Sequence, residues 1–225
     1  MNDYDNRVHQ MSIRAREFMA QSIDDFVAGG VARQLYAEVQ TGIPRFEQQA
    51  AAHGAGLSEA RQGTSARSEA REALRQDLEL MRAAARVMGV LEQFPRPPQN
   101  DDEGLLQLAD VYATHALPLK AQFIAHELPA DFLEDLAADK AAFQAAIIEQ
   151  ANATGDHISA RQELDEARDN VLATVRKLDG PVKIRYANNP GKLAEWAAAS
   201  HIERPPRRAK AETPPPASPP PQTGQ

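Results

Sequence analysis

Apolar residues spaced three and four apart recur in this chain at a distance of 97 positions. Leu35, Val39, Phe46, Leu74, Leu78 and Met81 meet apolar counterparts at Phe132, Leu136, Phe143, Val171, Val175 and Leu178. Such spacing gathers one stripe of a helix onto one side, where it must be covered. Leu74, Leu78, Met81, Ala85 and Met88 also follow the alternating four-three rhythm of a coiled-coil seam. At the same offset Glu69, Ala70 and Arg71 meet Glu166, Ala167 and Arg168. Charges on packed helices usually form ion pairs of small net value, so Arg71 and Arg168 would be of interest as a site only if both were buried without a carboxylate partner.

Glycine and proline punctuate the pattern. A first helix is expected over 5–25, ending at Gly29 and Gly30. A second runs over 31–53, kinked after Thr41 and Gly42 by Pro44, which removes an amide donor and crowds the carbonyl of Gln40. Gly54 and Gly56 predict a turn, after which a third helix over 65–91 folds back on the second. Pro95, Pro97 and Pro98 break the chain. Asn100 or Asp101 then caps a helix carrying Leu105, Leu106, Leu108, Val111 and Tyr112, and Pro118 begins a short helix over 119–126. A long arm over 130–153, a turn at Gly155 and Asp156, and a return arm over 157–179 repeat the first hairpin. Gly180 and Pro181 break or bend that arm, and a last helix after Pro190 presents Trp196 as an anchor that closes the bundle.

Two long antiparallel helical hairpins, packed as a four-helix-type bundle with short accessory helices, is therefore the expected all-α fold. Residues 1–202 would form the bundle, as an internal duplication of about 1–94 and 98–190, and 203–225 a disordered proline-rich tail. Composition agrees: 42% of residues are apolar but only 5% aromatic, which suits close helix packing better than a sheet sandwich. With no cysteine, disulfides, thiolate catalysis and cysteine-held metals are excluded. No apolar run near the start reads as a signal or a membrane span, so the expectation is a soluble cytoplasmic protein. The net charge of -7 argues against nucleic acid as the main partner.

Several kinds of chemistry are missing. A di-metal helical bundle needs Glu-x-x-His pairs, yet His9, His53, His115, His126, His157 and His201 follow Asn6, Ala50, Tyr112, Phe123, Thr154 and Ala198 at that spacing. There is no phosphate-cradling glycine loop and no nucleophile elbow. His126 beside Glu127 and His157 beside Asp156 diverge on a helix. No catalytic residue, cofactor or metal is expected.

Two places remain for a partner. Eight of the sixteen prolines lie between Pro205 and Pro221, interleaved with Arg204, Arg207 and Arg208; this segment, with Pro214 and Pro219, suits a polyproline ligand for an aromatic groove, or a solubilising tail. Phe46, Phe143 and Trp196 could instead line an apolar pocket between the arms. The stretch from Leu119 to His126, continuing through Leu128 to Phe132, resembles a segment that recurs in bacterial all-helical proteins with a proline-rich C-terminal tail; the resemblance implies bacterial cytoplasm and no particular activity. The functional expectation is a non-enzymatic scaffold or protein-interaction protein, with a small-molecule binding or sensing bundle as the alternative.

Overall fold

The computed structural model describes residues 1–203. Arg204, Arg207, Arg208, Pro214 and Pro219 lie outside the described residues. Among those described, every regular element is helical: α1 (Asp3–Ser22), α2 (Val31–Val87), α3 (Asp102–Ala116), α4 (Lys120–Ala125), α5 (Phe132–Arg185) and α6 (Pro190–Ala199). Side chains start several of them. Asn2 and Asp5 form a capping box on α1, while Asp101 accepts from the Gly104 amide to cap α3 and Asn189 from that of Lys192 to cap α6.

The all-α class is as expected, but the chain turns elsewhere. Gly54 and Gly56 lie inside α2, and Gly155 and Asp156 inside α5, so neither pair makes a hairpin. Gly180 and Pro181 do not end α5, and Pro44 does not end α2. A helix-interior glycine costs only about 1 kcal/mol relative to alanine. The neighbours Ala50, Ala51, Ala52 and Ala55, and on α5 Ala151 and Ala153, are the strongest helix formers available. In place of four arms there are two helices of 57 and 54 residues, the longer spanning about 85 Å.

These two helices lie antiparallel in one unbroken register. Gly42 abuts Val171, Gly56 abuts His157 and Gly63 abuts Gln150. Fourteen residues forward on α2, from 42 to 56, are thus fourteen back on α5, and the next seven match seven. Glycine is needed where the axes come closest. A Cβ on Gly63 would stand 3.2 Å from the Gln150 Cα, and one on Gly42 2.8 Å from a Val171 methyl. By contrast, nothing lies within 4 Å of a Cβ built on Gly54 or Gly155.

Short helices close the two ends into separate cores. At one end α1 and α6 cover the start of α2 and the end of α5, burying Val8, Met19, Val39, Phe46, Val175 and Trp196. At the other end α3 and α4 cover the end of α2 and the start of α5 around Leu74, Leu78, Tyr112, Phe123 and Phe143. Between them the pair thins to a waist. From Phe46 to Leu74, α2 buries only Gly56 and Gly63, and from Phe143 to Leu164, α5 buries only Ala146.

The offset of 97 relates the ends to each other. It carries α1 onto α3, with Val8 and Leu105, Ala15 and Tyr112, Met19 and Ala116 all buried, and it carries Phe26 onto Phe123, also both buried. Because adding 97 to one partner and subtracting it from the other preserves the antiparallel register, the long helices exchange about the level of Ser58 and Gly155.

Gly54→Ala and Gly155→Ala should each raise stability in chemical denaturation by about 1 kcal/mol, because each adds a methyl to a helix with room for it. Gly63→Leu should lower it. A loss of stability in both alanine variants would mean that these glycines turn the chain.

Candidate functional site

Two of the short helices, α1 and α3, are held to the long pair at their first turns by arginines. Asp5, fully buried, accepts from Arg168 Nη1 at 3.1 Å and from Arg161 Nη1 at 3.5 Å on α5. Asp102 accepts from Arg71 Nε at 2.8 Å and from Arg67 Nε at 3.1 Å on α2. Asp5 and Asp102 are 97 apart, as are Arg71 and Arg168, so one ion pair is built twice. Burial works to raise the Asp102 pKa, but bonds from Arg67 and Arg71 outweigh it and hold the carboxyl below its ordinary value. For Arg168, burial opposes the charge, while bonds to Asp169 and Asp5 more than compensate and raise its pKa. Arg71 and Arg168 therefore have carboxylate partners and act as structural anchors. The apolar periodicity leaves Asp5 and Asp102 unmarked; extending the offset of 97 to charged residues would have marked them.

The proposed inter-arm pocket is not formed. Phe46 and Trp196 lie in the first core and Phe143 in the second, all three sealed from solvent. The reason is the straight course of α2 and α5, which carries the two phenylalanines to opposite ends. Trp196 docks α6, its Nε1 donating to Asp179 Oδ1 at 3.1 Å.

At the waist, His53 and His157 stack across the helix pair with ring centroids 4.9 Å apart. Burial, then the fields of His157 and Arg161, lower the His53 pKa. A positive neighbour such as Arg161 also disfavours a bound cation. Among the described residues no three or more His, Asp or Glu side chains converge in a way that could hold a metal ion.

Among the described residues, one face of the long pair has no helix packed on it. α1 meets α2 at Phe46 and Glu47, and α3 meets it at Arg67 and Arg71; 46 and 67 are three heptads apart, so both short helices sit on the same side. On α5 the same holds for Arg161 under α1 and Lys140 under α3. The opposite side carries two depressions lined solely by α2 and α5. One runs along Glu38, Thr41, Gly42 and Arg45 against Asn170, Val171, Thr174 and Lys177. The other lies at the waist, where Glu59, Gln62 and Gly63 face Ile148, Glu149, Asn152 and Asp156.

Two heptads beyond Gly63 on that side stands Asp77, near Asp135 and Asp139 of α5. One of its carboxylate oxygens is closed to solvent and has no hydrogen-bond donor. Burial, then Asp139 through its charge and a shared hydrogen bond, then Asp135, push its pKa up to about 6. On this face the waist depression and the Asp77 flank are acidic, whereas the depression at Glu38 also carries Arg45 and Lys177.

No protein-family model, curated protein or solved structure matches this chain. Among the described residues no helix is long and apolar enough to cross a membrane.

The raised Asp77 pKa has a testable sign. Above about pH 6 the carboxyl is ionised in both folded and unfolded chains, and the folded state bears the whole penalty. Between about pH 6 and its ordinary value of 3.8 the folded state takes up the proton first and the penalty is relieved. Asp77→Asn should therefore stabilise the protein at pH 7.5 by about 1 kcal/mol, after discounting for partial exposure. In urea titrations that advantage should shrink towards zero near pH 4; a constant advantage at both pH values would contradict the assignment.

Proposed function

We propose that the chain is a non-enzymatic helical scaffold whose bare α2–α5 face receives a basic helical segment of a protein partner. The observation that carries this is the unpartnered face itself: two helices packed side by side leave a furrow into which a third fits, and α1 and α3 occupy the matching furrow on the other side. Charge decides the partner's character. Glu59, Glu149 and Asp156 surround the waist depression with no basic residue among its lining, so a Lys- or Arg-rich helix is favoured both in steering and in register. Exposed Ile148, 61% accessible, supplies an apolar contact in the same furrow. A small-molecule pocket has less support, because the aromatic residues expected to line it are packed into two sealed cores. The matched burial at an offset of 97 supports taking about 1–94 and 98–190 as copies of one unit.

A photo-reactive residue at Gln62 or Asn152 of the full chain, expressed in its native host, should cross-link to another protein, with the adduct mapping to a basic helical segment. Glu59→Lys combined with Glu149→Lys should reduce that adduct at least fivefold. An adduct to a second copy, to residues 204–225 of the same chain, or to an acidic or non-helical segment would refute the proposed occupant, as would no adduct at all.

A further inference from the structure

A basic depression of about 520 Å³ lies where α2 leaves the second core, lined by Glu79, Arg82, Ala83, Arg86, Arg96 and Pro97. It shares no residue with the two depressions of the bare face. Arg82 and Arg86 stand one turn apart on α2, and Arg96 comes from the loop that follows. Among the described residues none of the three makes an ion pair, and the Nε of Arg82 is buried without an acceptor. Glu79, the one acid in the lining, is already engaged by Arg75 at 2.7 Å.

The loop that presents Arg96 is fixed on both sides. Phe94 and Pro97 are buried, the Pro95 carbonyl accepts from Tyr112 Oη at 2.6 Å, and the Gln99 carbonyl accepts from Arg71. Arg96 therefore starts from a fixed backbone, and only its side chain has to be ordered by a ligand. The other end of the molecule supplies a comparison. The positions 97 beyond Arg82 and Arg86 are Asp179 and Lys183, which pair with each other at 2.6 Å. Where that end carries its own carboxylate, this one carries another arginine. The negative end of α2 accounts for Arg86 in its last turn, but not for Arg96, which lies beyond the helix.

We propose that Arg82, Arg86 and Arg96 form a binding site for the phosphate group of a small phosphomonoester. Three guanidinium groups match a dianionic phosphate better than a single carboxylate, each able to donate two parallel hydrogen bonds to it. The depression is of the size that holds a small organic group beside the phosphate.

Binding of inorganic phosphate and phenyl phosphate to the full chain, followed by phosphorus NMR titration in 100 mM sodium chloride, tests this. Both should bind saturably, phenyl phosphate at least as tightly as inorganic phosphate and tenfold more tightly than phenylacetate. Arg82→Gln and Arg96→Gln should each weaken phenyl phosphate at least tenfold, and Arg45→Gln, at a depression elsewhere on α2, should not. Arg86→Gln, at an exposed position, gives the same readout if Arg82→Gln fails to fold. No saturable binding, equal binding of phenylacetate, or affinities unchanged in the depression variants would overturn the assignment.

Discussion

Close contact between α2 and α5 is the constraint on which everything else in this molecule rests. Each of the long helices is too polar on its exposed sides to stand alone, and neither core exists until the two are side by side in the correct register. Glycine sets how near they come: at Gly42 and Gly63 the partner helix crowds the place a Cβ would take, and at Gly56 it stands at contact distance from it. Phe46 and Phe143 then pack at opposite ends of one continuous seam, and the short helices find their seats. A slip of one heptad would bring different residues opposite each glycine and move both seats at once.

Polar anchors finish what the seam begins. The pairs Asp5 with Arg168 and Asp102 with Arg71 tie the first turns of α1 and α3 to a long helix. Each carboxylate is held twice, Asp5 also by Arg161 and Asp102 also by Arg67, so each anchor is a small network in which losing one arginine leaves a second in place. Their recurrence at the offset of 97 places α1 and α3 equivalently on the two ends. Against that common plan the divergence is informative: Asp179 on one end holds both Lys183 and Trp196, while the matching positions of Asp179 and Lys183 on the other end are both arginines, Arg82 and Arg86.

Much of this is legible in the chain alone. Heptad spacing marks the seams, Asp101 and Pro190 mark the starts of short helices, and the lone tryptophan marks a docking face. Gly54 and Gly155 mislead because a glycine has the same local signature in a turn and in a helix; only the partner helix, distant in sequence, decides between them. The stacked pair His53 and His157 is invisible for the same reason, since neither residue has a local pattern and their meeting depends on the register. The acidic waist depression likewise emerges only when α2 and α5 lie together, and the arginine depression only when the loop after α2 folds back beside it.

The waist has a consequence for length. As the two cores share no side chain and communicate only through a uniform helical ladder, adding seven residues to the middle of α2 and seven to the middle of α5 would move the ends about 10 Å further apart while every face kept its direction. A single added residue would instead swing one end by about 100 degrees. The separation of the two cores is thus set in paired heptad steps, with the mutual angle of the two ends nearly unchanged by each step.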